Sequence, residues 1–120
     1  MTDIGLILKR FDKPDEVRTM TKGRFELVKI NGQLFGRATY QPGWRWSEHV
    51  GPERGMRWCL VEHLVYVIAG ASVIAFQNGD EIQIPAGSLF YVPPVPHDSW
   101  VLGAVPYISL HLLGAEGYAK

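Results

Sequence analysis

Four histidines, His49, His63, His97 and His111, are spread along the 120-residue chain so that each falls on or at the end of a different expected strand. Neutral imidazole is the commonest ligand for Zn, Fe, Ni and Cu. Three imidazoles converging on one ion leave a coordination position open for water or substrate. The inward faces of separate strands meet inside a closed sheet, so these residues can act together only if the chain forms one. No local motif such as H-E-x-x-H is present. The alternative is four unrelated histidines, each half exposed or hydrogen-bonded in place. Cys59, the single cysteine, stands four residues before His63. That even offset puts the two on one strand face and offers an additional, soft ligand. A lone cysteine is more commonly a small buried apolar residue, and that reading is favoured. Asp98, beside His97, points to the opposite strand face and reads as a turn or surface residue rather than an orienting partner.

Other chemistries find little support. Glu48 and Glu62 each precede a histidine, so regular strands turn them away from it, and a paired-carboxylate hydrolase site is not indicated. No serine lies in a G-x-S-x-G elbow, and Gly32, Gly36 and Gly43 sit in turn contexts with no following helix to cradle a phosphate. Trp44, Trp46, Trp58 and Trp100 fall on strands, with Tyr40, Tyr66, Phe90 and Tyr91 nearby. Barrel core and rim account for them. The functional reading is an aromatic pocket around a small ligand, built from Trp46, Trp58, Arg57, Trp100 and Tyr91. Arg45 and Arg57, each next to a tryptophan, would supply a carboxylate clamp; surface salt bridges explain them equally well.

Composition bounds the partners. Twelve Lys plus Arg balance twelve Asp plus Glu. Nucleic acid and anionic membrane surfaces both need a positive excess, so neither is expected as a partner. Apolar residues make up 47% of the chain, too many for disorder. One cysteine excludes an internal disulfide and makes a reducing compartment the default. The longest apolar run, residues 64–71, is too short to span a bilayer. The expectation is a soluble, cytoplasmic protein of one domain.

The elements that must position the histidines follow from period and punctuation. Thirteen Gly and eight Pro suit many short strands joined by turns. Residues 1–22 read as an irregular arm, with at most one turn of helix over 15–18, and the barrel domain is expected over 23–120. Segments 25–30 and 33–40 flank Asn31-Gly32, the strongest short hairpin signal, because both turn positions need positive φ. Strands are expected at 44–50 and 58–68. Segments 71–77 and 81–84 flank a second Asn-Gly, and further strands follow at 88–92, 97–102 and 106–113. No stretch has a helical period. The fold class is all-β, an antiparallel sandwich or barrel.

Two stretches resemble the cupin superfamily, more narrowly its small single-domain proteins of the conserved-barrel type. In CLVEHLVYVIAG (59–70), His63, six residues and Gly70 match the end of the first cupin motif, with His in place of Glu. In AGSLFYVPPVPH (86–97), Gly87, Pro93 and His97 resemble the second motif, with His97 one residue early and Val95 where Gly is usual. The H-x-H of the first motif is missing: Arg57 and Cys59 stand at its usual distance before His63. FDKPDEVR (11–18), QPGWRWSEHVGP (41–52), PHDSWV (96–101) and LGAEGYA (113–119) resemble a subgroup with no assigned reaction.

The resemblance implies a jelly-roll barrel holding a divalent transition metal ion (Zn, Fe, Ni or Mn) between facing strands. His63 and His97 occupy motif positions, His49 joins them by local context and parity, and His111 is an additional candidate. The expected function is a metal-dependent enzyme, oxygenase- or isomerase-like, acting on a small organic molecule. A non-enzymatic small-molecule-binding or sensing module is the alternative, and a purely structural barrel ranks last, because imidazoles buried without partners are costly. A homodimer is expected, from the resemblance and from the edge strands a small barrel exposes.

Overall fold

A computed structural model describes residues 5–118. The first four residues of the expected arm and the last two of the expected barrel domain lie outside the described residues. The fold is all-β and jelly-roll-like. Strands β1 (Glu16–Met20), β2 (Gly23–Ile30), β3 (Gln33–Tyr40), β4 (His63–Ala69), β5 (Ala71–Phe76), β6 (Glu81–Pro85), β7 (Leu89–Val92), β8 (His97–Leu102) and β9 (Tyr107–Leu113) form two sheets. The larger has the order β1-β2-β3-β9-β4-β7 and the smaller the order β6-β5-β8, and all pairings are antiparallel.

The first hairpin forms as its turn chemistry requires. Asn31 and Gly32 take φ of 51° and 81° and join Ile30 to its cross-strand partner Gln33. Around Asn78-Gly79 the Asn78 side-chain oxygen accepts from the Asp80 N–H at 2.9 Å, and β5 turns into β6. The strands then sort their residues by parity. β4 sends His63, Val65 and Val67 inward, and β9 sends Tyr107, Ser109 and His111 inward, all buried. Phe25, Leu27, Tyr40, Trp44, Trp46, Ile74, Val101 and Tyr118 complete the core between the sheets.

Three sequence expectations are corrected. Residues 44–50 are not a strand. A short helix α1 (Trp46–His49) follows an isolated bridge from Arg45 to Trp100. Trp44 and Trp46 are two apart, which reads as a strand. Trp46 and Val50 are four apart, and it is one helical turn that brings both to the core. Residues 58–62 do not extend β4; they make only a bridge between Cys59 and His97, with hydrogen bonds of 2.8 and 3.1 Å. Finally, residues 16–20 of the arm form β1 rather than irregular chain or a helical turn. They pair with β2 over five residues, a tertiary contact that overrides the weak local signal.

A candidate metal centre

Three donors meet inside the barrel. Cys59 comes from the segment before β4, His63 opens β4 and His97 opens β8. One ligand atom from each lies within 4.8 Å of the other two, and all three residues are buried. The bridge between residues 59 and 97 fixes the relative position of the cysteine and one imidazole through the backbone. Cys59 Sγ stands 3.5 Å from His63 Nε2. The His63 and His97 rings meet edge to face with centroids 5.4 Å apart. His97 Nδ1 donates to the Val95 carbonyl at 2.8 Å. A carbonyl can only accept, so this bond puts the proton on Nδ1 and leaves Nε2 with a bare lone pair, the arrangement that orients metal-binding imidazoles.

The donors line a cavity of about 40 Å3 with His111, Trp46 and Tyr118. That is room for an ion with one or two small ligands. His111 lies on the inner face of β9 with its ring 5.5 Å from that of His63, and falls outside the mutual three-donor grouping. Tyr118 closes the cavity from the C-terminal segment. Its ring stacks on His111, meets His63 edge to face, and its hydroxyl bonds that of Tyr40 at 2.9 Å. The Arg18 guanidinium from β1 ties this segment down through the carbonyls of Ala115 and Tyr118, at 3.0 and 2.6 Å. Gly114 makes the turn into it at φ 88°, passing so close to the Glu62 carbonyl that a Cβ would overlap it.

The electrostatics suit a cation. Burial pushes the His63 pKa down to about 2, reinforced by His111 and His97, and burial pushes His111 to about 3; His97 is lowered for the same first reason. Burial raises the Cys59 thiol to about 11. The protein alone therefore holds neutral imidazoles beside a neutral thiol, with Cys59 Sγ in hydrogen-bond contact with His63 Nε2. His63 Nδ1 and His111 Nδ1 are buried with no hydrogen-bond partner among the described residues. Unpaired buried nitrogens are costly. One sulfur and two imidazole nitrogens are a donor set that Zn and other borderline first-row metals accept, with a position left over. The residues present fit such an ion.

The sequence-predicted residues are not all brought together. His49 lies on α1, not on a strand, and is no member of the three-donor grouping. Its Nδ1 accepts from the Arg45 N–H at 2.9 Å and closes the helical turn. Cys59, favoured as a plain core residue, is one of the three donors. The five expected pocket residues do not share one cavity. Trp46 lines the cavity of the metal centre, whereas Arg57 and Trp58 line a separate surface basin of about 300 Å3 with Arg45, Ser47 and Asp98. Trp100 lies beneath the Arg45 guanidinium at 4.0 Å. Tyr91 is exposed and donates to Glu62, because Val92, not Tyr91, has the inward parity opposite His63. Asp98 is buried rather than a surface residue. It accepts from the Ser47 N–H at 3.0 Å and the Ser47 hydroxyl at 2.7 Å, because α1 folds over that side of β8. Tyr40, Tyr107 and Tyr118 were not anticipated at the site. For Tyr118 the available signal was an aromatic residue closing the short segment after Gly114.

No family model matches the chain, and no curated protein matches it. Solved structures match its fold. A protein of unknown function from Rhizobium leguminosarum bv. viciae 3841 superposes with a TM-score of 0.59 at 14% identity, over 77% of this chain and 80% of that one. A DUF1255 protein of unknown function from Acidithiobacillus ferrooxidans gives 0.59 at 14% identity, over 82% and 86%. The iron(II) form of HppE gives 0.65 at 13% identity, over 92% of this chain and 61% of that one. At these identities the likeness establishes a cupin-like fold. Among the described residues no helix is long and apolar enough to cross a membrane.

Proposed function

We propose that this protein is a small single-domain cupin that binds one divalent transition metal ion through Cys59, His63 and His97 and uses it on a small molecule, as a metal-dependent enzyme. The observation that carries the reading is the convergence of three buried donor atoms within 4.8 Å, one of them presented by a fixed tautomer. Two fold neighbours support it: HppE, solved with iron(II), and the DMSP lyases, matched at 16% identity over half of their chain. When bound, the ion would supply Lewis acidity at its open position. The chain's own residues do the rest. Val95 orients His97, Tyr118 and Trp46 wall off water, and the 40 Å3 cavity limits what enters to a small group. We place the protein in a reducing cytoplasm, where the buried thiol of Cys59 stays free.

A non-enzymatic sensing module is the second reading. It is favoured by one observation: no carboxylate or lysine lines the cavity among the described residues, so histidine is its only nitrogen base. Elemental analysis of tag-free protein tests the metal. About one ion per chain is expected, falling to a trace in Cys59→Ala and His63→Ala. Metal-free protein that takes up neither Zn(II) nor Co(II) would overturn the proposal. Oxygen uptake by the loaded protein with a metabolite panel separates turnover from sensing.

A further inference from the structure

The surface basin of about 300 Å3 sets two cations against one anion: Arg45 and Arg57 line it with Asp98, Ser47 and Trp58. Asp98 is already served by neutral donors. Its carboxylate accepts from the Ser47 N–H at 3.0 Å, the Ser47 hydroxyl at 2.7 Å and the Ser99 N–H at 2.9 Å, and Arg45 reaches it only at 3.4 Å. Arg57 is exposed, and no carboxylate pairs with it among the described residues. Each guanidinium lies over an indole, Arg45 at 4.0 Å from the Trp100 ring and Arg57 at 5.4 Å from that of Trp58. The backbone holds both walls in place, because Arg45 bridges to Trp100 and Cys59, next to Trp58, bridges to His97.

We infer that this basin binds a small aromatic monocarboxylate, its carboxylate held between Arg45 and Arg57 and its ring laid against Trp58. The site is separate from the metal centre and does not depend on an ion being bound there.

Charge, geometry and size select the ligand. Two guanidinium groups against one carboxylate leave the basin with a single positive charge in excess, which a single carboxylate neutralises. A phosphate dianion would overshoot and stand beside buried Asp98, a like charge. The planar fork of a guanidinium matches a carboxylate with two parallel hydrogen bonds. Water and salt screen such a pair at an exposed arginine, so the carboxylate alone gains little and acetate is a poor fit. A ring on the ligand adds contact with the indole and shields the ion pair from water. The volume stands at the lower end of the roughly 300–1,000 Å3 of small-molecule sites and suits one ring. The metal cavity, at about 40 Å3, is too small for that ring, which a cavity of about 150 Å3 accepts.

Isothermal titration calorimetry with benzoate tests this. Chelator-treated, metal-free protein keeps ligation of an ion by the carboxylate out of the signal. Saturable binding at one site per chain is expected. Benzamide, acetate and inorganic phosphate should each bind about tenfold more weakly or worse, since each lacks either the charge, the ring or the matching fork. Arg57→Ala should weaken benzoate binding by about tenfold or more while keeping the far-ultraviolet circular dichroism of the wild type. Arg57→Lys, which keeps the charge and loses the fork, should weaken it less. A wild type that shows no saturation below about 10 mM benzoate overturns the assignment. So does a folded Arg57→Ala variant that binds benzoate as the wild type does, and so does phosphate that binds as tightly as benzoate.

Discussion

The inner face of β4 and β9 mixes polar with apolar residues, whereas the outer face is apolar. Inward, His63, His111 and Ser109 stand among Val65, Val67 and Tyr107, all buried. Outward stand Leu64, Tyr66, Ile68, Ile108, Leu110 and Leu112, of which Tyr66 and Ile68 are exposed and the others half-buried. Polar groups buried without partners cost free energy, and so does a broad exposed apolar face, yet the strands alternate both with strict parity. Each side is incomplete in a different way. On the inner face His63 Nδ1 and His111 Nδ1 have no hydrogen-bond partner among the described residues, and on the outer face Tyr66 and Ile68 leave hydrocarbon exposed. A metal ion held by Cys59, His63 and His97, as proposed above, would answer the first. Substitutions on the two faces of the sheet should therefore have separable effects.

The largest effect belongs to the inner face. His63→Leu should weaken Zn(II) binding by more than about 100-fold, since it deletes one of three ligands. It should leave metal-free protein as stable as the wild type or more so, because an unpaired buried imidazole gives way to an apolar side chain. Calorimetric metal titration and thermal melts read the two halves. A destabilised metal-free variant with intact binding would break the contrast between the faces.

Acid should act on the same face. An unfolded histidine titrates near 6.5, whereas burial holds His63 near 2 and His111 near 3. Between those values the unfolded chain binds more protons than the fold. Stability is therefore full above pH 6.5 and lost progressively below it, at up to about 1.4 kcal/mol per pH unit for each ring. At pH 5 that is as much as about 2 kcal/mol per histidine. Urea unfolding of metal-free protein between pH 8 and 5 should show the fall; a flat profile would mean that the rings charge within the fold.

Metal should add stability in the opposite sense. At a free concentration about 100 times its dissociation constant, an ion specific to the folded state contributes ~2.7 kcal/mol, a rise in Tm of roughly 10 °C for a domain of this size. Differential scanning calorimetry with and without Zn(II) checks it. Tyr118→Phe comes next. It removes the hydroxyl bonded to Tyr40 and should cost about 1–3 kcal/mol, because a buried hydroxyl is left behind. The smallest effect is on the outer face. Ile68→Thr should change stability by less than about 0.5 kcal/mol, as exposed substitutions do, and urea unfolding checks it.

Much of the barrel was legible because parity and turn chemistry are local. Asn31-Gly32 demands positive φ wherever it occurs, and the alternation of β9 reads directly as inside and outside. What escaped was decided by contacts distant in sequence. Arg45 to Val50 reads as strand until Trp46 and Val50 must reach one core, and residues 16–20 have little reason to extend until β2 lies beside them. The donor set divides the same way. His63 and His97 are visible through their motif frames. Cys59 earns its place only through its bridge to His97, and His49 loses its place to a helical turn that its own ring closes.

The most direct test of the account is X-ray absorption spectroscopy on Zn(II)-loaded wild-type protein. The first shell should contain one sulfur at about 2.3 Å and two imidazole nitrogens at about 2.0–2.1 Å, plus a lighter exogenous ligand. The sulfur should vanish in Cys59→Ala. A shell of oxygen and nitrogen alone in the wild type would place the ion elsewhere, and the meeting of Cys59, His63 and His97 would then be packing without function.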